Sequence, residues 1–109
     1  MPKTKTVEQL PTISNIDRLI HEPARMVIMA QLYVVESADF LFLANQTGMT
    51  AGNLSSHLSK LETAGYIEIT KEFLDRKPHT MLRLTAKGRA AFREYRENMK
   101  AVIEKLPGK

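Results

Sequence analysis

The chain has no cysteine. That excludes disulfides, thiolate metal sites and iron–sulfur clusters, and it suits a reducing interior. Histidine is scarce. His21, His57 and His79 lie far apart in sequence, and none has a second ligand at a metal-binding spacing. No glycine-rich phosphate loop and no nucleophile elbow is present. No apolar run approaches the roughly 18 residues of a membrane span. Met1 to Pro11 has no apolar h-region, so no signal peptide is expected. Internal repeats and low-complexity segments are also missing. These absences argue against an enzyme, a cofactor, a metal site and a membrane partner, and they favour a cytoplasmic location.

What remains is small and mildly basic. A length of 109 residues predicts one domain. Hydrophobic residues make up 43%, enough for a small core that oligomerisation would help. The formal net charge of +4 permits a nucleic-acid or anionic-membrane partner without proving either.

The most informative stretch is Gln46 to Ile67. Gln46-Thr47-Gly48 reads as a turn, with Gly48 suited to the left-handed conformation that ends a helix. Thr50 is a candidate N-cap. Ala51, Leu54, Leu58 and Leu61 then form one narrow apolar stripe at helical spacing, and Gly65 is the stop. The other face carries Gly52, Asn53, Ser55, Ser56, His57, Ser59 and Lys60. A solvated helix is usually laced with Glu and Lys. A face that enters a DNA groove wants short polar groups and few carboxylates, because phosphates repel carboxylates. Ala44, Gly48 and Leu54 also fall at helix-turn-helix spacing. There a small residue permits a close crossing, a glycine turns the chain and an apolar residue pins the second helix.

Before this stretch, residues 1–11 read as a polar, lysine-bearing arm. Ile13, Ile16, Leu19 and Ile20 predict a first helix over 12–21. Pro23 opens a second helix, to Val35, apolar around much of its girth. Ser37 or Asp39 caps a third, Phe40 to Gln46, with Phe40, Leu41, Leu43 and Ala44 expected in the core. The recognition helix follows, about Thr50 to Ala64.

After Gly65 the period changes to two. Ile67, Ile69 and Phe73 alternate with polar neighbours, although Lys71 occupies an inward parity, and Leu82 and Leu84 alternate with Met81 and Arg83. These are two half-buried strands. No Asn-Gly type turn lies between them, so residues 74–79 are expected to form a longer loop with Arg76, Lys77 and His79 at its tip. Thr85 caps a last helix, about Ala86 to Leu106. Phe92, Tyr95, Met99, Val102 and Leu106 step by three or four residues, a coiled-coil-like seam. Residues 71–100 hold nine Lys or Arg against four Asp or Glu, so the excess cation lies in the hairpin and the start of this helix.

Taken together, the segments Asp17-Arg18-Leu19-Ile20, Pro23-x-Arg25, Gly52-Asn53-Leu54-Ser55-Ser56-His57-Leu58, Arg76-x-Pro78-x-Thr80 and Leu84-Thr85-x-x-Gly88-Arg89 resemble the compact winged-helix regulators of the MarR and ArsR type. The resemblance covers about residues 16–100. It implies an α+β, mainly α fold: a winged helix-turn-helix core over 12–84, a two-stranded β wing, and a long dimerisation helix over 85–106. It implies double-stranded DNA as partner, a homodimer, repressor activity and an unidentified small-molecule effector. Thr50, Gly52, Asn53, Ser55, Ser56, His57, Lys60, Arg76, Lys77 and His79 would meet DNA, with Arg76 in the minor groove. Ile13, Ile16, Phe92, Tyr95, Met99, Val102 and Leu106 would form the dimer interface. Metal sensors of the ArsR type carry cysteines before the recognition helix or histidine and acid pairs on the last helix. Here Phe40-Leu41-Phe42-Leu43 and Phe92-Arg93-Glu94 stand instead, so no metal is expected. The alternative function is a winged-helix protein-interaction module that does not bind DNA.

Overall fold

The computed structural model describes residues 15–108. The arm expected over 1–11 and the interface residue Ile13 lie outside them. In chain order the elements are α1 (Pro23–Val34), β1 (Ala38–Asp39), α2 (Phe40–Thr47), α3 (Ala51–Thr63), β2 (Ile67–Leu74), β3 (Lys77–Leu84) and α4 (Ala86–Glu104). The strands form one antiparallel sheet in the order β1-β3-β2. The fold is therefore mainly α, as expected.

Local chemistry sets most boundaries. Asp39 caps α2, its carboxylate accepting from the Leu41 N–H at 2.7 Å. Gly48 ends α2 at φ +72°. Thr50 caps α3, its hydroxyl oxygen accepting from the Asn53 N–H at 3.1 Å. At the other end, Gly65 takes φ +82°. Its N–H reaches the Glu62 carbonyl at 2.9 Å, and the Tyr66 N–H reaches Leu61 at 2.9 Å. This is the paired closure of a Schellman motif.

Four expectations change. Of the first helix expected over 12–21, residues 12–14 lie outside the described residues, Asn15 is 3₁₀, and from Ile16 to His21 the chain is bend and turn. The Asp17 carboxylate accepts from the N–H groups of Leu19 (2.9 Å) and Ile20 (3.1 Å), a local bond that competes with a helix. Glu22 is extended at φ −144°, as the residue before a proline must be. Second, Ser37-Ala38-Asp39 is not only a break. Ala38 and Asp39 pair with Leu82 and Met81 as a third strand. Third, the hairpin is tight. Leu74 pairs with Lys77, and the two residues between them, Asp75 (φ +53°) and Arg76 (φ +67°), have the positive φ pair of a type I′ turn. His79 thus lies in β3, opposite Glu72, rather than at a loop tip. Fourth, Leu41 is 69% exposed and Phe73 is 76% exposed, so neither belongs to the core.

The core is one cluster. Ile28, Met29 and Leu32 of α1 meet Leu43 of α2, Leu54, Leu58 and Leu61 of α3, Ile67 and Leu82 of the sheet, and Tyr95 of α4. Each apolar side chain buried this way contributes about 1.5–3 kcal/mol. The α3 stripe therefore fixes the orientation of α3, and with it the direction its polar face points.

The junction of sheet and α4 is the tightest point. Thr85 donates its N–H to the Tyr66 carbonyl (3.0 Å) and its hydroxyl to the Gly65 carbonyl (2.6 Å). Its hydroxyl oxygen also accepts from the Gly88 N–H at 2.9 Å, capping α4. A Cβ at Gly88 would stand 1.9 Å from the Tyr66 carbonyl oxygen. That neighbour is backbone and cannot rotate aside. Gly88→Ala should therefore destabilise the fold by about 3 kcal/mol, the upper part of the overpacking range. Urea denaturation followed by circular dichroism measures it, and a wild-type midpoint would contradict this packing.

Candidate nucleic-acid interface

Leu54, Leu58 and Leu61 pull one side of α3 into the core. At about 100° per residue, Ser56 then lies opposite that stripe, flanked by Gly52, Ser59 and Lys60. All four are exposed, as are Thr50, Asn53 and Ser55. Among the described residues no hydrogen bond engages the side chains of Asn53, Ser56 or Lys60. Their donors and acceptors are free for an external partner. Gly52 matters for a different reason. A Cβ built there meets nothing within 4 Å. The fold does not require glycine at this place, and alanine would be the better helix former by up to about 1 kcal/mol. Glycine is explained if something outside the chain approaches the first turn of α3.

His57 is placed differently. It is half-buried, and its Nδ1 lies 3.1 Å from Nη1 of Arg25. Arg25 can only donate, so Nδ1 accepts and the ring proton sits on Nε2. Arg25 also donates from Nε to the Leu19 carbonyl at 2.6 Å, and its backbone N–H meets Glu22 at 2.8 Å. That backbone bond is the largest influence holding the Glu22 carboxyl below the usual carboxylate range. His57 thus ties α3 to the start of α1 and leaves one ring nitrogen unused.

The wing is the second part. Arg76 and Lys77 are exposed at its tip. His79 is engaged: its Nδ1 hydrogen-bonds the Asp39 carboxylate, whose other oxygen caps α2. The bond from His79 holds the Asp39 carboxyl below its ordinary range. This pair joins the wing to the first helix of the helix-turn-helix. On the same sheet face Arg83 donates to Glu72 at 2.8 Å and to Thr70 at 3.1 Å, bracing β3 against β2. The positioning residues Arg25 and Asp39 were not among the sequence-derived site residues. Each lies 32 or 40 positions from its histidine, and no local pattern reports such a pair.

The proposed dimer residues divide into inner and outer sets. Tyr95 is only 4% exposed and sits inside the subunit, its hydroxyl 2.9 Å from Nδ1 of His21. Ile16, Phe92 and Met99 are half-buried against the core. Val102 is half-buried, and Leu106 is 56% exposed beside Ile103 at 64%. Between α1 and α4 runs an open apolar groove of about 650 Å³, lined by Met26, Val27, Phe92, Met99 and Ile103. Among the described residues no cluster of metal-ligating side chains occurs, and no helix is long and apolar enough to cross a membrane.

The family model for the winged helix DNA-binding domain matches residues 24–103. The chain belongs to this family. An uncharacterized protein of Methanocaldococcus jannaschii is 36% identical over 78 residues, spanning 72% of this chain and 85% of that protein. Among solved structures, a transcriptional regulator homologue from Pyrococcus horikoshii is similar with a TM-score of 0.77 and 31% identity, covering 81% of this chain and 87% of that one. The transcriptional repressor CouR, solved on a 23-mer DNA duplex, shares the fold with a TM-score of 0.72 at 24% identity, over 84% and 64% of the two chains. In winged-helix terms α2 and α3 are the helix-turn-helix pair, and β2 and β3 are the wing.

The wing tip carries strain with no internal use. Two non-glycine residues in the left-handed region each cost about 1 kcal/mol or more. Arg76 is exposed, and no side-chain hydrogen bond within the described chain offsets its cost. Arg76→Gly should raise the free energy of unfolding by about 1 kcal/mol. Equilibrium urea unfolding tests it, and a loss of stability would show that the arginine supports the hairpin.

Proposed function

We propose that this protein is a homodimeric transcriptional repressor that binds duplex DNA sequence-specifically. The observation that carries this reading is the outward face of α3. It is a run of short, uncommitted polar groups with an unneeded glycine in its first turn, held rigidly by a buried leucine stripe. In this reading Asn53, Ser56 and Lys60 meet base edges and adjoining phosphates. Asn53 can donate and accept at once, which suits adenine N6 and N7. Thr50 and Ser55 fix the register, and His57 offers its free ring nitrogen at the rim. Arg76 enters the minor groove and Lys77 contacts phosphate. His79 acts by holding the wing to α2. A dimer seated across two half-sites represses by excluding other proteins from that duplex. The similarity to a transcriptional regulator homologue supports the regulatory part.

The decisive experiment selects bound duplexes from a random pool and measures affinity for the winner and a scrambled duplex at several salt concentrations. Each neutralised phosphate adds about −0.9 to the slope of log affinity against log salt. Asn53→Ala should cost about 1–3 kcal/mol on the selected site and little on the scrambled one. Folding should be unchanged within about 0.5 kcal/mol, since the site is exposed. Equal losses on both duplexes would make Asn53 a backbone contact. No binding by the wild type at low salt would favour the protein-interaction module.

The homodimer is supported by the apolar groove between α1 and α4, with exposed Ile103 in its lining, and by exposed Leu106 three residues further on. Two such surfaces related by a two-fold axis cover each other. Tyr95 is a poor probe of this contact, because a charge there would be buried inside one subunit. Ile103→Lys with Leu106→Lys leaves the core intact. The double variant should sediment as a monomer and bind a two-half-site duplex far more weakly than the wild type. A dimer of unchanged mass would place the interface elsewhere. The same groove is where a small apolar effector could bias the dimer.

A further inference from the structure

The wing carries an apolar group that neither the core nor the charge pattern explains. In the β2–β3 register Ile69 faces Leu82, Lys71 faces Thr80, and Phe73 faces Pro78. Side chains two apart along a strand share a face, and directly paired residues share it too. One sheet face therefore reads, from the core outward, Ile69 with Leu82, Lys71 with Thr80, Phe73 with Pro78, then the Asp75-Arg76 turn. This is the face that α3 covers, since Ser55, Leu58 and Ser59 line one hollow with Ile69 and Thr80. Beyond that hollow, among the described residues, only the start of α2 approaches it, where Phe40 and Leu41 line a shallow hollow with Pro78 and Thr80. Lys71 and Pro78 are exposed, and Phe73 is 76% exposed, with an aromatic ring facing water.

We infer that Phe73 and Pro78 form an apolar contact with the deoxyribose edge of bound duplex DNA, on the backbone ridge between the groove occupied by α3 and the minor groove reached by Arg76. The inference rests on the duplex-DNA reading above and adds a contact to it. Three features select this occupant. On this face two cations border the apolar pair, Lys71 on the core side and Arg76 in the turn, with Lys77 beside Pro78 on the other face and Asp75 the one carboxylate of the turn. An apolar protein partner would not ask for cations at both ends of the pair, whereas a sugar flanked by phosphates does. The face is continuous with the exposed flank of α3, so one body can touch both. The spacing also fits. Strands rise about 3.3 Å per residue, so Phe73 stands about 13 Å beyond Ile69 and Arg76 roughly 20 Å beyond it. Adjacent major and minor grooves on one side of B-DNA lie half a turn apart, roughly 17 Å. The ring thus falls where the sugars of the intervening ridge run.

An apolar contact with sugar has a distinct signature. It carries no sequence information and neutralises no phosphate. Phe73→Thr keeps a strand-favouring residue but removes the ring. It should weaken binding about tenfold, and equally, on the selected and the scrambled duplex. The salt slope should stay at the wild-type value. Phe73→Leu, which keeps apolar bulk, should bind within about twofold of the wild type. Because the residue is exposed, thermal unfolding of both variants should match the wild type. The inference is overturned if Phe73→Thr binds as tightly as the wild type. It is also overturned if the loss comes with a flatter salt slope, or if the variant changes only the sedimented mass. In each of these cases wild-type binding to duplex DNA still stands. If the wild type itself binds no duplex at any salt, the functional reading fails first and this contact with it.

Discussion

The close passage of the first turn of α4 over the Gly65–Tyr66 backbone is the constraint on which the rest depends. Three parts meet there: the end of the recognition helix, the start of the wing and the start of the long terminal helix. Gly65 stops α3 in the left-handed conformation, and the freed carbonyls of Gly65 and Tyr66 turn toward Thr85. Thr85 uses one side chain to close that turn and to cap α4. Gly88 then lets the helix backbone lie against Tyr66 with no Cβ between them. Tyr66 is held in turn by a 2.5 Å hydrogen bond from its hydroxyl to Asp17, and burial together with that carboxylate pushes its phenol up to about 12. It stays neutral and a donor throughout the physiological range. The angle between α3, wing and α4 is therefore set by backbone contacts rather than by adaptable side chains.

Around this junction the chain spends its histidines on rigidity. His57 links α3 to α1 through Arg25, His79 links the wing to α2 through Asp39, and His21 meets Tyr95 of α4. Each pair is partly buried and joins elements distant in sequence. The pairs to Arg25 and Asp39 are hydrogen bonds to charged groups, which contribute about 1.5–3 kcal/mol each, and the bond to the Tyr95 hydroxyl contributes about 1 kcal/mol. A recognition surface gains from such ties, because side chains misplaced by an ångström lose bidentate contacts. By position in the sequence, His57 and His79 are expected at the DNA-facing surface. The fold uses both first as struts through Nδ1, and among the described residues the Nε2 of each has no hydrogen-bond partner.

The helical parts were legible because their signals are local. Thr50, Gly48, Gly65 and Thr85 act at caps and stops through bonds of three or four residues, and the Leu54, Leu58, Leu61 stripe is set by helical period alone. The misreadings share a different cause. Residues 15–21 have a helical spacing of apolar groups, but Asp17 captures the backbone N–H groups first, and Pro23 bars continuation. Strand β1 is only two residues long, and its partner lies more than forty positions away. Tyr95 fits the period of a surface seam, but whether such a stripe faces its own core or a second chain depends on where α1 passes. Phe73 fits the period of an inner strand face, but alternation cannot report where the covering helix ends.

Among the described residues, three departures from local rules fall in one region. Asp75 and Arg76 adopt positive φ without being glycine, where Asn-Gly would close the same turn with less strain. Phe73 turns an aromatic ring to water two residues before that turn. Gly52 weakens the first turn of α3 though a Cβ would meet nothing. Other apolar side chains are exposed too, Val34 at 84% and Ile103 at 64% toward the ends of α1 and α4, but they carry no backbone strain. The positive-φ residues and Gly52 each cost roughly 1 kcal/mol, and among the described residues no side-chain hydrogen bond of Asp75 or Arg76 offsets it. All three lie on the side of the molecule presented by the recognition helix and the wing. Strain held in one patch and uncompensated within the chain is what a surface shaped by an external partner leaves behind. The exceptions therefore argue for a bound macromolecule spanning α3 and the wing tip independently of any single proposed contact.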